Sequence, residues 1–372
     1  MPSTCCGEPL VEMPRPSRLR VGLIGCGGIA ASAHVPALQE LTPLVDMAMV
    51  ADVRPQAAER IAHTLGCEWT VDYRRLLDDS RIDAVVICTP EFAHAEQVVA
   101  ATQAGKHVLC EKPMARTLEQ ADAMLEAAVR AGVRLMIAHS RRFTPRYRRA
   151  HELLEAGTIG APVLVRENER RARTSEAIVQ PGWRPDPDKH STWYAQAEYS
   201  VGTILHIGVH EMDLFRWFAG AEATSVYMET KITGEDQEVP DTVVIQVGFA
   251  NDVVGVCEIY NNAPPGYPNH HEFEVFGTEG MLRSRDLDSV SLTSFDSDGA
   301  HFPTAAESLL LVRDAYVLEQ RLFFESILDD AQVPLDPREG RAALELALAA
   351  VESAATGQRV LLPAARQTVA RG

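Results

Sequence analysis

Arg20-Val21-Gly22-Leu23-Ile24-Gly25-Cys26-Gly27-Gly28-Ile29-Ala30 is an apolar run that breaks into glycines and resumes as an amphipathic stretch to Glu40. A short apolar run ended by a glycine turn reads as a buried strand, and the stretch after it as a helix. The unit then repeats. Apolar runs at 45–51, 84–88, 107–110 and 134–138 alternate with amphipathic stretches at 55–65, 92–104 and 118–131. That alternation calls for right-handed crossovers and a doubly wound parallel sheet, an α/β unit. Thr117 with Gln120 makes a capping box at the start of one helix, and Gly132 stops it.

Downstream the rhythm changes. Thr144-Pro145 starts a helix that Gly157 ends, which places the domain junction near 139–145. Runs at 162–169, 225–232, 242–249, 253–260, 272–276 and 290–293 read as strands, with Asn251-Asp252 a hairpin turn. The expected second domain is α+β with a large, open-faced, mostly antiparallel sheet, covered by helices near 203–218, 309–329 and 338–355. The division is a tail at 1–18, a dinucleotide-binding domain at 19–142, a substrate-binding domain at 143–363, and a tail at 364–372.

Composition bounds the function. The chain has 372 residues and a formal net charge of −17, which argues against nucleic acid or an anionic membrane as partner. The richest apolar stretch, 342–355, is broken by Glu345 and Glu352 and cannot span a bilayer. The Pro-rich start lacks a signal peptide's apolar block, so a cytoplasmic protein is expected. The seven cysteines show no CxxC spacing, hence no metal site is expected. Only four of the 35 basic residues are lysines, and this makes Lys112 conspicuous.

In the opening turn, Gly25 permits the sharp bend, Gly27 lets the backbone approach a pyrophosphate, and the small Ala30 lets helix pack on strand. Gly28 and Ile29 complete the phosphate-holding helix start. Asp52 ends the next strand, where a carboxylate can accept from ribose hydroxyls and repel a 2′-phosphate. NAD is therefore expected over NADP, with Arg54 as the opposing signal. Glu111-Lys112-Pro113 ends another strand and puts an ionisable amine beside the reactive end of that nucleotide.

These residues resemble the glucose-fructose oxidoreductase / inositol dehydrogenase / MocA (Gfo/Idh/MocA) family over 20–363. The landmarks are Gly25–Ala30, Cys88-Thr89-Pro90 with His94, Ala104 to Pro113, Arg142-Phe143, Gly208-Val209-His210 with Asp213, and Phe276 to Gly280. The resemblance implies a Rossmann domain, an open sheet that assembles a homodimer or homotetramer, and hydride transfer at a secondary carbinol of a sugar or cyclitol. It puts Thr89, Pro90 and His94 along the nicotinamide half, with Glu111 and Lys112 near the ring; Arg142 joins the cofactor set.

Oxidising an alcohol needs a base for the hydroxyl proton, and an imidazole titrates near working pH. His210, on the family's catalytic position, is assigned as base, and Lys112 as the cation that polarises the reacting oxygen. His206, His210 and Asp213 are spaced to share one helical face. Family members often carry Asp where this chain has His206. Without that carboxylate, Lys112 and His210 are both expected to titrate lower. His206 either contacts a substrate hydroxyl or joins a proton relay, which counts it with Lys112 and His210 as catalytic, or merely packs the helix. Residues 170–200 form a polar, aromatic insertion (Trp183, His190, Trp193, Tyr194, Tyr199), and Trp193 is counted with Lys112, His206, His210 and Asp213 as substrate-facing. Tyr267, His270 and His271 are either cleft-lining or plain loop residues. The expected function is an NAD-dependent dehydrogenase, or ketoreductase, for a sugar, inositol or aminocyclitol. The acidic balance tilts the substrate toward a cationic amino sugar. The alternatives are an NAD-dependent glycosidase working by transient oxidation, an NADP-dependent keto-sugar reductase and a non-catalytic nucleotide sensor.

Overall fold

The computed structural model describes residues 18–172, 193–235, 237–264, 266–267, 269–285, 291–295 and 308–363. Both expected tails, apart from Arg18, and Trp183 and His190 of the insertion lie outside them.

The first half is a six-stranded parallel sheet of β1 (Leu19–Ile24), β2 (Val45–Ala51), β3 (Glu68–Thr70), β4 (Ala84–Ile87), β5 (His107–Glu111) and β6 (Leu135–Ala138), in the order β3-β2-β1-β4-β5-β6. Its helices are α1 (Val35–Glu40, entered through a π-helical turn at Ala30–His34), α2 (Pro55–Leu65), α3 (Tyr73–Leu77), α4 (Glu91–Gln103) and α5 (Leu118–Ala131). The order reverses between β1 and β4, which opens a crevice at the carboxyl ends of the strands. The Thr117 hydroxyl accepts from Gln120 N as a capping box requires, and Gly132 takes a left-handed φ of 65°. Neither β3 nor α3 is signalled by the sequence. Two of the three β3 residues are exposed, so the strand lies at the sheet edge and has no apolar run to announce it.

A 3₁₀ turn at Ser140–Phe143 leads into α6 (Pro145–Glu155) and the second half: β7 (Pro162–Ala172), a π-helical turn at Ile204–Gly208, α7 (Val209–Ala219), β8 (Ala223–Lys231), β9 (Thr242–Phe249), β10 (Val254–Ala263), β11 (His270–Gly277), β12 (Met281–Arg285) and β13 (Ser291–Phe295). The chain ends with α8 (Ser308–Leu328), α9 (Pro337–Thr356) and β14 (Val360–Leu361). The eight strands run β13-β12-β11-β7-β10-β9-β8-β14. Every neighbouring pair is antiparallel except β7 with β10. Alternation sends Val243, Ile245 and Val247 inward with Ile259 and Phe273, toward α7 and α9. The other face carries Arg166 and Arg170 against Glu258, and Arg166 against Glu274.

One helix departs from expectation. α8 does not cover the open sheet; it crosses back onto α1 and the 140–143 turn, where Tyr316, Phe323 and Phe324 join Leu38, Val86 and Leu109 in one core. α9 bridges the halves. It packs on β8 and also on β6, with Gly340 facing Ile137 and Arg341 holding Asp122 of α5 at 2.5 Å. No helix of the described residues is long and apolar enough to cross a membrane. The described cysteines, Cys26, Cys67, Cys88, Cys110 and Cys257, are unpaired.

A side chain at 340 would meet Ile137 Cγ1 at 2.9 Å and Cβ at 3.0 Å, and the latter has little room to yield. Gly340→Val is therefore expected to cost about 1–3 kcal/mol through overpacking, read as a lower midpoint in urea unfolding. An unchanged midpoint would show that α9 does not seat tightly on β6.

Candidate active site

The nucleotide turn is built as its glycines demand. Gly25 has φ +93°, and a Cβ there would lie 2.7 Å from the Cys88 carbonyl, so β1 and β4 approach too closely for any other residue. Over Gly27 and Gly28 the opposite holds: an added Cβ would meet nothing within 4 Å. That open space, half-buried at Gly27 and exposed at Gly28 and Ile29, fits a pyrophosphate against the helix start. Asp52 closes one side. Its Oδ2 accepts from Cys26 N (2.8 Å), and Arg54 lies along the carboxylate through Nε (3.0 Å) and Nη2 (3.2 Å). Burial pushes the Asp52 carboxyl up, but those bonds outweigh it and hold it below the ordinary value.

On the other side of the crevice, Thr89 donates to Gln97 Oε1 (2.6 Å) and Pro90 caps α4. The His94 ring is enclosed, with Nε2 2.7 Å from Thr89 O and Nδ1 2.8 Å from Pro113 O. It ties the ends of β4 and β5 together; a neutral ring donates to only one of the two carbonyls. Glu111 is likewise enclosed. Its Oε1 meets His34 Nε2 at 2.8 Å and its Oε2 accepts from Lys112 N at 3.0 Å. No sequence motif marks His34, a lone histidine in the π-helical turn at Ala30–His34.

Lys112, joined to Pro113 by a cis peptide, is not a surface lysine. Its Nζ crosses to the second half and donates to His206 O at 2.7 Å. Burial, first, and then Arg171 and Arg141 push the amine below its usual range, against Glu111 and Glu91. His206 is pushed down to about 3 by burial and then by Lys112. His210 also falls well below the ordinary value, from burial and then from Lys112 and Arg141. Both Lys112 and His210 thus lie below their ordinary values, and burial is the leading cause in each.

Of the three residues expected on one helical face, His206 stands apart, while His210 and Asp213 both face His139. His206 lies in the π-helical turn and His210 and Asp213 in α7, and the widened turn rotates His206 away from the i, i+4 line. His206 stacks on Tyr194 (centroids 4.7 Å, 15°) and meets Trp193 edge-on, whereas His210 stands edge-on to His139. Asp213 is occupied by Arg142, which reaches both its oxygens (2.8 and 2.7 Å) and also Glu339 (2.9 Å). Arg142 as a cofactor contact and Asp213 as a substrate contact are thus corrected: each saturates the other in a buried clamp. His271 is corrected too, being enclosed in β11 and not in a cleft loop.

Beneath α7 lies a polar network that sequence reading missed. Arg141 donates to Glu211 (2.6 Å) and Glu169 (2.7 Å), Arg171 also holds Glu169, and His271 Nε2 faces Glu167 at 2.9 Å. Glu167, Glu211 and His271 together offer three atoms with metal-ligand spacing. Guanidinium groups already fill the place of a cation there, since Arg146 Nη2 lies 2.9 Å from His271 Nδ1 and Arg141 Nη1 3.3 Å from Nε2.

Removing the Asp213 charge leaves Arg142 with Glu339 as its remaining acidic partner. Asp213→Asn is expected to lower stability by roughly 3–5 kcal/mol, measured by denaturant unfolding. Asp213 is held below its ordinary value, so its contribution is complete above the unfolded-chain pKa and lost as pH falls through the folded one. Unfolding that ignores the substitution would refute the clamp.

Comparison with known proteins agrees with this geometry. Residues 19–139 match the family model described as oxidoreductase family, NAD-binding Rossmann fold, and residues 147–283 match that of the GFO/IDH/MocA C-terminal domain. Levoglucosan dehydrogenase of Pseudarthrobacter phenanthrenivorans is 30% identical over 395 residues, covering 93% of this chain and 98% of its own. Myo-inositol 2-dehydrogenase of Thermotoga maritima is 28% identical over 342 residues, covering 90% and 96%. A structure of levoglucosan dehydrogenase in complex with NADH superposes with a TM-score of 0.80 at 28% identity, covering 93% of this chain and 99% of that one. The two-domain fold, the glycine turn and the matched sequence together make this chain a member of the Gfo/Idh/MocA family of NAD-binding oxidoreductases.

Proposed function

We propose that the protein is an NAD-dependent dehydrogenase for a secondary hydroxyl of a sugar, inositol or aminocyclitol ring, or runs the reverse ketoreduction. The observation that carries this reading is the bond from Lys112 Nζ, on the nucleotide-binding half, to the carbonyl of His206, four residues before His210 on the other half. An amine and an imidazole from separate domains thereby come to one crevice, and the amine lowers the proton affinity of the imidazole.

Bound NAD supplies the hydride acceptor at nicotinamide C4. The chain supplies the rest. Lys112 orients the substrate oxygen and stabilises the charge that grows on it. His210 Nδ1 is enclosed without a partner among the described residues, which leaves Nε2 to take the hydroxyl proton. Burial keeps this imidazole neutral at neutral pH, the form a base requires. Tyr194 and Trp193, packed on His206, offer a ring-binding wall.

The cofactor reading rests on Asp52. Its charge opposes a 2′-phosphate, and Arg54 is spent on the carboxylate and so is not free to receive that phosphate. The charged open face of the eight-stranded sheet is the surface on which two or four copies would associate.

A panel of inositols, nucleotide sugars and aminoglycosides, followed by absorbance of reduced nicotinamide, tests the reaction. His210→Ala is expected to lower kcat by about 10²–10⁴, and Lys112→Ala to abolish turnover while NAD still binds. The ratio of kcat/KM for NAD and NADP should favour NAD and should collapse in Asp52→Ala. No reduction of NAD by any polyol would sink the proposal.

A further inference from the structure

Hydrogen bonds through one histidine join the nucleotide turn to Lys112. His34 closes the π-helical turn that follows the glycines, and its ring is fully enclosed. Nε2 lies 2.8 Å from Glu111 Oε1, and Tyr316 of α8 meets the ring edge-on at 5.0 Å. Glu111 ends β5 and is 4% exposed, and its other oxygen accepts from Lys112 N at 3.0 Å. Lys112 Nζ then donates to His206 O at 2.7 Å. An unbroken chain thus runs from the pyrophosphate turn through His34 and Glu111 to the side chain that crosses into the second half.

Enclosure makes the first of these bonds consequential, because a carboxylate out of water keeps its charge only where a donor or a cation holds it. The groups around Glu111 are His34, Lys112, His94 of α4, and Tyr316 and Glu319 of α8. Burial keeps His94 below its ordinary value and Tyr316 and Glu319 well above theirs, so none of these three brings a charge near neutrality. Among the described residues, His34 and the Lys112 amide are the groups that hydrogen-bond the Glu111 carboxylate. Burial pushes that carboxyl up, and the His34 bond leads the opposing causes that hold it below its ordinary value. An ionised carboxyl only accepts, so Nε2 is the donor. His34 Nδ1 has no hydrogen-bond partner among the described residues, so the bond to Glu111 is what directs the ring.

We propose that His34 is a positioning residue for Lys112 and acts through Glu111. Donation from Nε2 keeps the carboxylate turned so that its second oxygen holds the Lys112 amide, and the amine is thereby set by the same turn that takes the pyrophosphate. The proposal rests on the reading above only in that Lys112 meets the substrate oxygen. Burial drives Lys112 toward the neutral amine, and Glu111 is the foremost charge acting the other way; Arg171 and Arg141 side with burial, and Glu91 follows with Glu111. His206 and His210, held low by burial, stay neutral beside it.

The chain has four lysines, Lys106, Lys112, Lys189 and Lys231, so lysine labelled with ¹³C next to the amine gives a countable set of signals, and Lys112→Arg identifies that of Lys112. Glu111→Gln should lower the Lys112 titration midpoint by about one to three pH units. His34→Phe keeps a ring against Tyr316 and removes the donor. It should lower the midpoint by up to the same amount, with Lys106, whose amine is held by the Asp79 and Ile82 carbonyls, unmoved. His34→Gln carries an amide nitrogen to the reach of Nε2 and should restore most of the fall. His34→Asn stops one bond short, should behave as the Phe variant, and serves if that variant does not fold. Joining His34→Phe to Glu111→Gln should lower the midpoint no further than Glu111→Gln alone, the mark of two residues acting as one unit. Above the lowered midpoint kcat should drop about tenfold per unit of fall. The titration needs no turnover, so it decides the proposal even if the native chain reduces NAD with no polyol. A histidine that merely packs the turn would lower the melting temperature and leave the Lys112 midpoint in place. An unmoved midpoint in His34→Phe or His34→Asn, or a fall that adds in full to that of Glu111→Gln, overturns the proposal.

Discussion

Two adjacent guanidiniums hold the halves of this protein in register. Arg141 and Arg142 occupy the turn that follows β6, and each reaches into the second half, the first to Glu169 and Glu211, the second to Asp213 and Glu339. Glu211 and Asp213 are both on α7, immediately after His210. β6 pairs with β5 so that Ala138 stands beside Glu111, the residue before Lys112. The clamp thus fixes the helix that carries the imidazole relative to the strand that carries the amine. Burying such pairs gives little net stability, because desolvation of each ion offsets the attraction between them. Their value lies in the penalty for misalignment: a domain rotation that separates a guanidinium from its carboxylate leaves two charges unpaired out of water.

The same demand explains why the chain does not divide cleanly at the junction. α8 returns to the first half and closes over α1 with Tyr316, Phe323 and Phe324, and α9 touches both halves. These two returns bury apolar surface across the boundary, which non-directional packing can supply while the ion pairs set orientation. A crevice lined by one rigid body on each side holds its groups in place better than one hinged on a loop.

Much of this was legible in the sequence. Apolar runs fell on β1, β2, β4 and β5, terminal residues marked α5 and α6, and the alternation in β9 gave the inward face of the open sheet. The glycine turn was legible because Gly25 needs a backbone few other residues adopt, and Lys112 because a strand-end amine is uncommon in a chain so rich in arginine. Other features left no local trace. The partners of Arg141 and Arg142 come from about 28 to 197 positions away, so neither the clamp nor its effect on Asp213 could be read from spacing. The π-helical turn at 204–208 defeated the helical-face argument for His206, since one widened turn changes which neighbours align. α8 was misplaced because an apolar helix face says that it packs, not on what.

Proton affinity in the crevice sorts by bonding. Glu111, Asp213 and Glu169 stay ionised despite burial, because each is bonded to an imidazole or a guanidinium. Among the described residues Lys112, His206 and His210 have no acidic hydrogen-bond partner, and burial drives all three toward their neutral forms. An acid locked to a guanidinium is withdrawn from proton traffic, so the groups able to serve the reaction are those the clamp leaves unbonded. A carboxylate at position 206 would have ionised beside Lys112 and Arg171 and fixed the charge of the amine locally. The imidazole found there remains neutral and stacks on Tyr194. It makes a wall of what would otherwise be a counter-ion, and the protonation of Lys112 must then be set by acids on other elements of the crevice.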